Sequence, residues 1–302
     1  KDVTIAGPGA DKLAVSGNES TRVFAVNSGV NATIDGLAIR DGKVTGANNG
    51  GGILNSGALT VTNSTLTGHN AQNAGGGIYN SGSLNVISST IANSAGFWGS
   101  GIYNNGAASL AGALLENNSG MNDGSAIYNN SGGSLTVERT IVRANTSSGF
   151  GAGIYNRGAL TVAESTFSAN NAGGFNGGGL YNQGTAAVAN STFVANSAYF
   201  GGGIYGASGT LSVTNSTIAG NITTSGGGIY NSGTLYLRNS LIANTTGADC
   251  VSGALAANIN NLIGDGSCSP AFSGDPLPGA LGDYGGDTQT VPLLPGSPAI
   301  DA

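Results

Sequence analysis

Hydrophobic and polar positions alternate along this chain in short bursts. Leu59 and Val61 alternate with Thr60 and Thr62, and Leu211 and Val213 with Ser212 and Thr214. Alternation over a few residues predicts a strand with one face in the core. Asn63-Ser64-Thr65-Leu66 follows the first burst, and Asn190-Ser191-Thr192-Phe193 and Asn215-Ser216-Thr217-Ile218 repeat it. That pattern predicts a corner and a second short strand. An Asn comes two to four residues later, as Asn70, Asn93, Asn118, Asn145, Asn170, Asn196, Asn221 and Asn244. A third burst reads Gly-Ile-Tyr-Asn, with its Ile or Leu at Ile53, Ile78, Ile102, Ile127, Ile154, Leu180, Ile204 and Ile229. Successive copies lie 25, 24, 25, 27, 26, 24 and 25 residues apart.

A unit of three short strands cannot bury its inner residues alone, but stacked units can. Each strand then pairs in parallel with its equivalent one coil along, about 4.8 Å away. The expected fold is all-β: a right-handed parallel β-helix of about ten coils, roughly 50 Å long at that spacing, with an irregular C-terminal tail. Its clear repeats span 50–247, the helix 1–264, and a capping or subunit-contact tail 265–302. Ile78, Leu84, Val86 and Ile91 should point inward, their equivalents stacked above them. Asn tolerates left-handed corners and can bond from coil to coil, and Gly supplies positive φ. A leucine-rich horseshoe is excluded, because its L-x-x-L-x-L signature is missing.

Composition narrows the function classes. Only 8% of residues are charged, against roughly 25% in an average domain, yet 39% are hydrophobic, so the chain is not a charged disordered one. Nine Lys plus Arg cannot lay down a nucleic-acid stripe. No apolar run approaches the ~18 residues of a membrane-spanning helix. The first residue, Lys1, suggests a processed product or excised fragment, with any secretion signal already gone. The two cysteines, Cys250 and Cys268, are expected to form a disulfide in an oxidising compartment and to pin the final coil.

Candidate catalytic chemistry is sparse. Residues 44–238 hold four acids, Glu116, Asp123, Glu138 and Glu164. Aligning coils on Val137 and Val162 puts Glu164 beside Arg139 as a surface ion pair, so no carboxylate pair for glycoside chemistry emerges. His69, the one histidine, reads as a solvated corner residue. Asp265, Asp275, Asp283 and Asp287 read as a solvated tail whose spacing matches no Ca²⁺ loop. The Asn-x-Ser/Thr triplets arise from the repeat itself and are weak glycosylation signals. We therefore assign no catalytic, cofactor or metal residues, and expect a protein that is not an enzyme.

The aromatic residues carry more information. Tyr79, Tyr103, Tyr128, Tyr155, Tyr181, Tyr205 and Tyr230 occupy one repeat position, seven of ten tyrosines. With Ile inward, a period of two sends them outward as a stacked ladder. Phe97, Trp98, Phe150, Phe175, Tyr199 and Phe200 fall in the loop just before the repeated Ile or Leu. They predict a stripe on one edge, either packed over glycine-rich backbone or free to bind sugar rings or a protein. Charge is uneven too. Residues 1–43 hold five cations, including Lys1, Lys12 and Lys43, and five acids; 44–238 hold four of each; 239–302 hold six acids and no Lys or Arg.

The Gly-Gly-Gly-Ile segments, followed by Phe167-Ser168-Ala169-Asn170 or Phe193-Val194-Ala195-Asn196, resemble the GGAI…FxxN repeat of polymorphic outer membrane proteins. Asn261-Leu262-Ile263-Gly264-Asp265, Gly285-Gly286-Asp287-Thr288 and Leu293-Leu294-Pro295-Gly296-Ser297-Pro298-Ala299-Ile300-Asp301 resemble the end of choice-of-anchor Q domains. The resemblance covers nearly the whole chain. It implies a bacterial surface β-helix and an extracellular or cell-surface location, and no particular activity.

Three functions follow in order of expectation. The first is a structural subunit of a surface fibre or sheath, stacking head to tail with itself. The second is an adhesin or carbohydrate-binding β-helix partnered by cell-surface glycans. The third is a polysaccharide lyase or hydrolase.

Overall fold

A computed structural model describes residues 2–253 and 255–300. Lys1 and Asp301, which enter the charge layout, lie outside the described residues. The chain winds as a parallel β-helix of about ten coils, and no helix occurs among the described residues. Three sheets run its length. The first has ten strands, from Phe24–Val26 to Cys250–Ser252, and contains the Ile-Tyr-Asn segments. The second has eleven, mostly of five residues, from Asp2–Ala6 to Leu255–Ile259. The third has twelve, from Ala14–Ser16 to Phe272–Ser273. A discontinuous lateral sheet closes the coil between the third and the first.

Register follows the repeat. Ile78 pairs with Ile53 and Ile102, Leu84 with Leu59, Val86 with Val61, and Ile91 with Leu66. All are buried, as the alternation required. Phe167 and Phe193 stack inside the core with ring centroids 4.5 Å apart.

The corners are built from buried polar ladders, because turning the chain leaves backbone groups that must still be bonded. Between the first and second sheets, amides bond from coil to coil. Asn55, Asn80, Asn104, Asn129 and Asn156 each donate Nδ2 to the Oδ1 of the next rung, ending at Asn182, at 2.7–2.8 Å. Between the second and third sheets the rungs are hydroxyls: the N–H groups of Thr140, Ser165, Ser191 and Ser216 each donate to the Ser Oγ one coil on. A second amide ladder, Asn118, Asn145, Asn170, Asn196 and Asn221, turns the chain out of the third sheet. In the first two full coils that last position belongs to His69 and Ser94, not to Asn70 and Asn93; Asn70 is exposed, and Asn93 is a left-handed corner at φ 52°.

The first ladder has one defect. Gly206 replaces an Asn, and the Asn231 Oδ1 beyond it is buried without a partner. This oxygen leans into the gap, 2.2 Å from where a Gly206 Cβ would sit. Gly206 is in a strand with no positive φ, so an L-residue fits its backbone. Gly206→Asn should return the oxygen to the pose of the other rungs and raise stability by about 1 kcal/mol. A urea midpoint unchanged or lowered by this substitution would count against the ladder account.

The C-terminal end is closed by the chain itself. After Leu262–Ile263 the backbone crosses the last coil, where Cys268 packs on the core and is disulfide-bonded to Cys250. Cys250 is the last rung of the isoleucine stack, paired with Ile229. Asn258 of the second sheet donates to the Cys268 and Ser269 carbonyls, and Phe272–Ser273 returns to the third sheet. Linking these two segments contributes on the order of 3 kcal/mol by constraining the unfolded chain. The remaining tail folds back along the outer flank of the third sheet as an open hairpin bridged at Pro278–Leu293 and Gly282–Thr290. Thr290 reaches the Thr192 hydroxyl, Thr166 donates to the Gln289 carbonyl, and Thr288 donates to the Glu164 carbonyl. Asp287 joins the Arg139–Glu164 pair at 3.7 Å. The tail thus straps several coils together from outside.

Candidate functional site

The tyrosine ladder forms as the strand period demands. In each Ile-Tyr-Asn strand the Ile and Asn face in and the Tyr faces out. Successive rings from Tyr79 to Tyr230 lie 4.8–5.3 Å apart and within 16° of parallel. Facing out does not leave the ladder exposed. Tyr128, Tyr155 and Tyr181 are buried beneath Trp98, Phe150 and neighbouring rings. Burial, with help from the adjacent phenols, pushes Tyr103 up to about 12, and burial raises Tyr155 further. These two phenols are therefore uncharged at neutral pH.

The six loop aromatics come together on the lateral sheet in two kinds. Trp98, Phe150 and Phe200 are half-buried and lie against the tyrosine column: Phe150 is 4.8 Å from Tyr181, and Phe200 is 4.7 Å from Tyr230. Phe97, Phe175 and Tyr199 are exposed. Each exposed ring meets a half-buried one edge-on: Phe97 on Trp98 at 4.6 Å and 89°, Phe175 on Phe150 at 5.3 Å and 84°, and Tyr199 on Phe200 at 4.6 Å and 79°. The stripe is thus both packed and displayed, through three braced pairs.

The backbone beneath explains their placement. Leaving the amide ladder, the chain alternates out and in. Ala71, Gly96, Gly120, Ser147, Ala172 and Ala198 face inward and are small, because the glycine-rich turn lies close behind them. In that turn Gly151 has φ 64°, and a Cβ there would sit 2.5 Å from the Ile154 carbonyl. The outward residues form two rows. One is polar over consecutive coils, with Ser119, Thr146 and Asn171 in register. The other holds Phe97, Met121 and Tyr199, with Phe175 beside it. Met121 and Ile222 extend the apolar surface and are strongly exposed. Sequence reasoning passed over both, although each lies one or three residues after the ladder Asn, where the other outward residues lie.

Charge is nearly missing from this face. Between Asn70 and Gly226 the face holds Asp123, which accepts the Phe150 N–H at 2.8 Å and whose carboxyl is raised by burial, and the exposed Arg157, which donates to the Tyr128 hydroxyl at 3.4 Å and acts on the Asp123 carboxyl. Lys43, Glu19 and Arg22 line a separate hollow of about 510 Å³ at the N-terminal end, where Arg22 is held by the Asn49 and Gly50 carbonyls.

The remaining candidates are placed as follows. His69 is not a solvated corner; it is buried in the core side of the turn. Its Nδ1 accepts the Gly42 N–H at 3.0 Å, and its Nε2 is 3.0 Å from the Ile39 carbonyl. Asn118 makes the same two bonds, to Ser94 N–H and the Ile91 carbonyl. The imidazole is a rung of the ladder. Desolvation lowers it to about 4, against smaller opposing effects of the Ile39 carbonyl and Asp41, so it is neutral.

Arg139 gathers Glu138 and Glu164, as the coil alignment indicated for the latter, together with Asp287 from the tail; all are substantially exposed. Asp249, which is buried, and Asp265 cap each other's backbone N–H at 3.0 Å. Burial raises the Asp249 carboxyl, and hydrogen bonds from Ser267 and backbone amides lower Asp265 despite its partial desolvation. Asp275 and Asp283 cap their own turns. Among the described residues no three His, Cys, Asp or Glu side chains are grouped to hold a metal ion.

No family model, no curated protein and no solved structure matches this chain.

Proposed function

We propose that this chain is an extracellular, non-catalytic β-helix of adhesin type, which binds its partner through the lateral aromatic face. The observation that carries the reading is the set of three braced ring pairs, Phe97–Trp98, Phe175–Phe150 and Tyr199–Phe200. A soluble solenoid gains nothing in its core from rings held upright at its surface, whereas a binding face gains prepaid order. The disulfide supports an oxidising compartment, and the sequence resemblance to bacterial surface proteins supports display at the cell surface.

The head-to-tail fibre is the second reading. It is favoured by the first coil, where Val3, Ile5 and Leu13 are exposed. It is opposed by the last coil, which carries the Cys268 plug where a neighbour would stack. Polysaccharide cleavage has the least support, because the carboxylates around Arg139 are held in an exposed ion-pair cluster.

Two measurements test the proposal. Light scattering of concentrated protein in low salt should report a monomer; filaments would restore the fibre reading. Beads coated with the protein should adhere to cell-surface glycans or matrix proteins, and the triple variant Phe97→Ser, Phe175→Ser, Tyr199→Ser should abolish adhesion. Undiminished adhesion by the triple variant would place the binding face elsewhere.

A further inference from the structure

We infer that the lateral face takes an uncharged glycan chain, lying parallel to the helix axis and stacked on Phe97, Phe175 and Tyr199. This deepens the binding-face reading and rests on it.

Electrostatics sets the ligand class. An anionic glycan, a phosphate polymer or a basic peptide needs opposite charge for affinity and orientation. Along this face the structure offers one partly buried carboxyl, Asp123, engaged by the Phe150 amide, and one guanidinium, Arg157, engaged by the Tyr128 hydroxyl, so the two opposite charges leave no net charge to attract an ion. A neutral ligand is the one such a surface can desolvate at low cost.

The layout of the face selects a sugar over a protein. Protein interfaces centre on a contiguous apolar patch. Here the upright rings are separated. Phe97 and Phe175 are three coils apart, about 14 Å, and Tyr199 lies one coil beyond, about 5 Å more. Met121 stands between Phe97 and Phe175 in the row of rings, and beside that row Ser119, Thr146 and Asn171 face outward on three consecutive coils, in parallel register. Those side chains both donate and accept, as hydroxyl-rich ligands require, and the rings offer apolar faces to the C–H faces of pyranoses. Rows of both kinds run along the axis, so an extended chain lying in that direction meets rings and polar groups in turn. A chain crossing the helix would meet one coil only.

The rings are also pre-organised. Each is braced edge-on by an inner ring, and the inner rings rest on the tyrosine column. Little side-chain entropy is left to lose on binding.

Calorimetry with defined hexasaccharides tests this. Neutral probes would be β-1,4-glucan, β-1,4-xylan, β-1,3-glucan, β-1,4-mannan and α-1,4-glucan oligomers; charged probes would be oligogalacturonate and a heparin fragment. At least one neutral probe should bind, with affinity little changed by salt. Phe175→Ala and Tyr199→Ala should each weaken it by about tenfold. Ile87→Ala, an exposed site on the second sheet, should leave it unchanged and report on folding. Binding of charged probes alone, neutral binding indifferent to both ring substitutions, or no binding by any neutral probe would each overturn the inference. If neutral probes fail while coated beads still adhere through the three rings, the glycan is wrong and the binding face stands; if adhesion is also indifferent to the rings, both fall.

Discussion

Asn129→Asp is expected to destabilise the protein at neutral pH by about 3–5 kcal/mol, although it exchanges one nitrogen for one oxygen. Asn129 is fully buried in the middle of the first amide ladder. Its Oδ1 accepts from Asn104, and its Nδ2 donates to Asn156 Oδ1 at 2.7 Å and to the Ala159 carbonyl at 3.0 Å. A carboxylate fits the space and keeps the first bond. It then points an anionic oxygen at two acceptors, while the Arg157 guanidinium is directed outward to the Tyr128 hydroxyl. The cost is that of an uncompensated buried charge rather than of a cavity. The same variant should recover part of its loss in acid, since a protonated carboxyl again donates. Urea unfolding at pH 7 and pH 4 measures both effects. A loss below about 1 kcal/mol at pH 7 would mean the ladder contributes little to cohesion.

The second large effect is an acid transition carried by His69. Its folded-state value of about 4 lies below the usual 6.5, chiefly because burial penalises the imidazolium. Between those two values the unfolded chain holds a proton that the folded chain refuses. The contribution is therefore fully present above about pH 6.5, is lost as pH falls towards 4, and is constant below that. A shift of this size corresponds to about 3 kcal/mol. His69→Asn supplies the side chain used by Asn118 and the later rungs and has no proton to gain. Wild type should lose about 3 kcal/mol more than His69→Asn between pH 7 and pH 4. Parallel pH profiles for the two proteins would show that the imidazole is not held neutral by the fold.

The repeat determined the architecture. The regular recurrence of Gly-Ile-Tyr-Asn and the two-residue alternation require three faces per coil, and a parallel stack is what satisfies them. Ile78, Leu84, Val86 and Ile91 are inward for that reason, and the tyrosine column faces outward for the same one. The disulfide was legible from compartment chemistry and from the closeness of Cys250 and Cys268 to the last repeat. The six loop aromatics were legible as a stripe, because a recurring loop must fall on one edge.

Tertiary structure decided what period and composition leave open. His69 is a rung rather than a solvated corner, since the turn offers an N–H and a carbonyl one coil away at the separation an imidazole spans. That depends on backbone in a neighbouring coil, not on adjacent residues. Half of the aromatic stripe packs and half stands clear, because an inner ring fills the space above the tyrosine column and leaves its partner no room except upright. The last residues reach coils more than a hundred positions earlier, as between Thr288 and Glu164. They carry no repeat to announce their path, and their course is set by unoccupied hydroxyls and apolar surface on the third sheet. Periodicity fixes which way a side chain faces; what it meets there depends on the coil above.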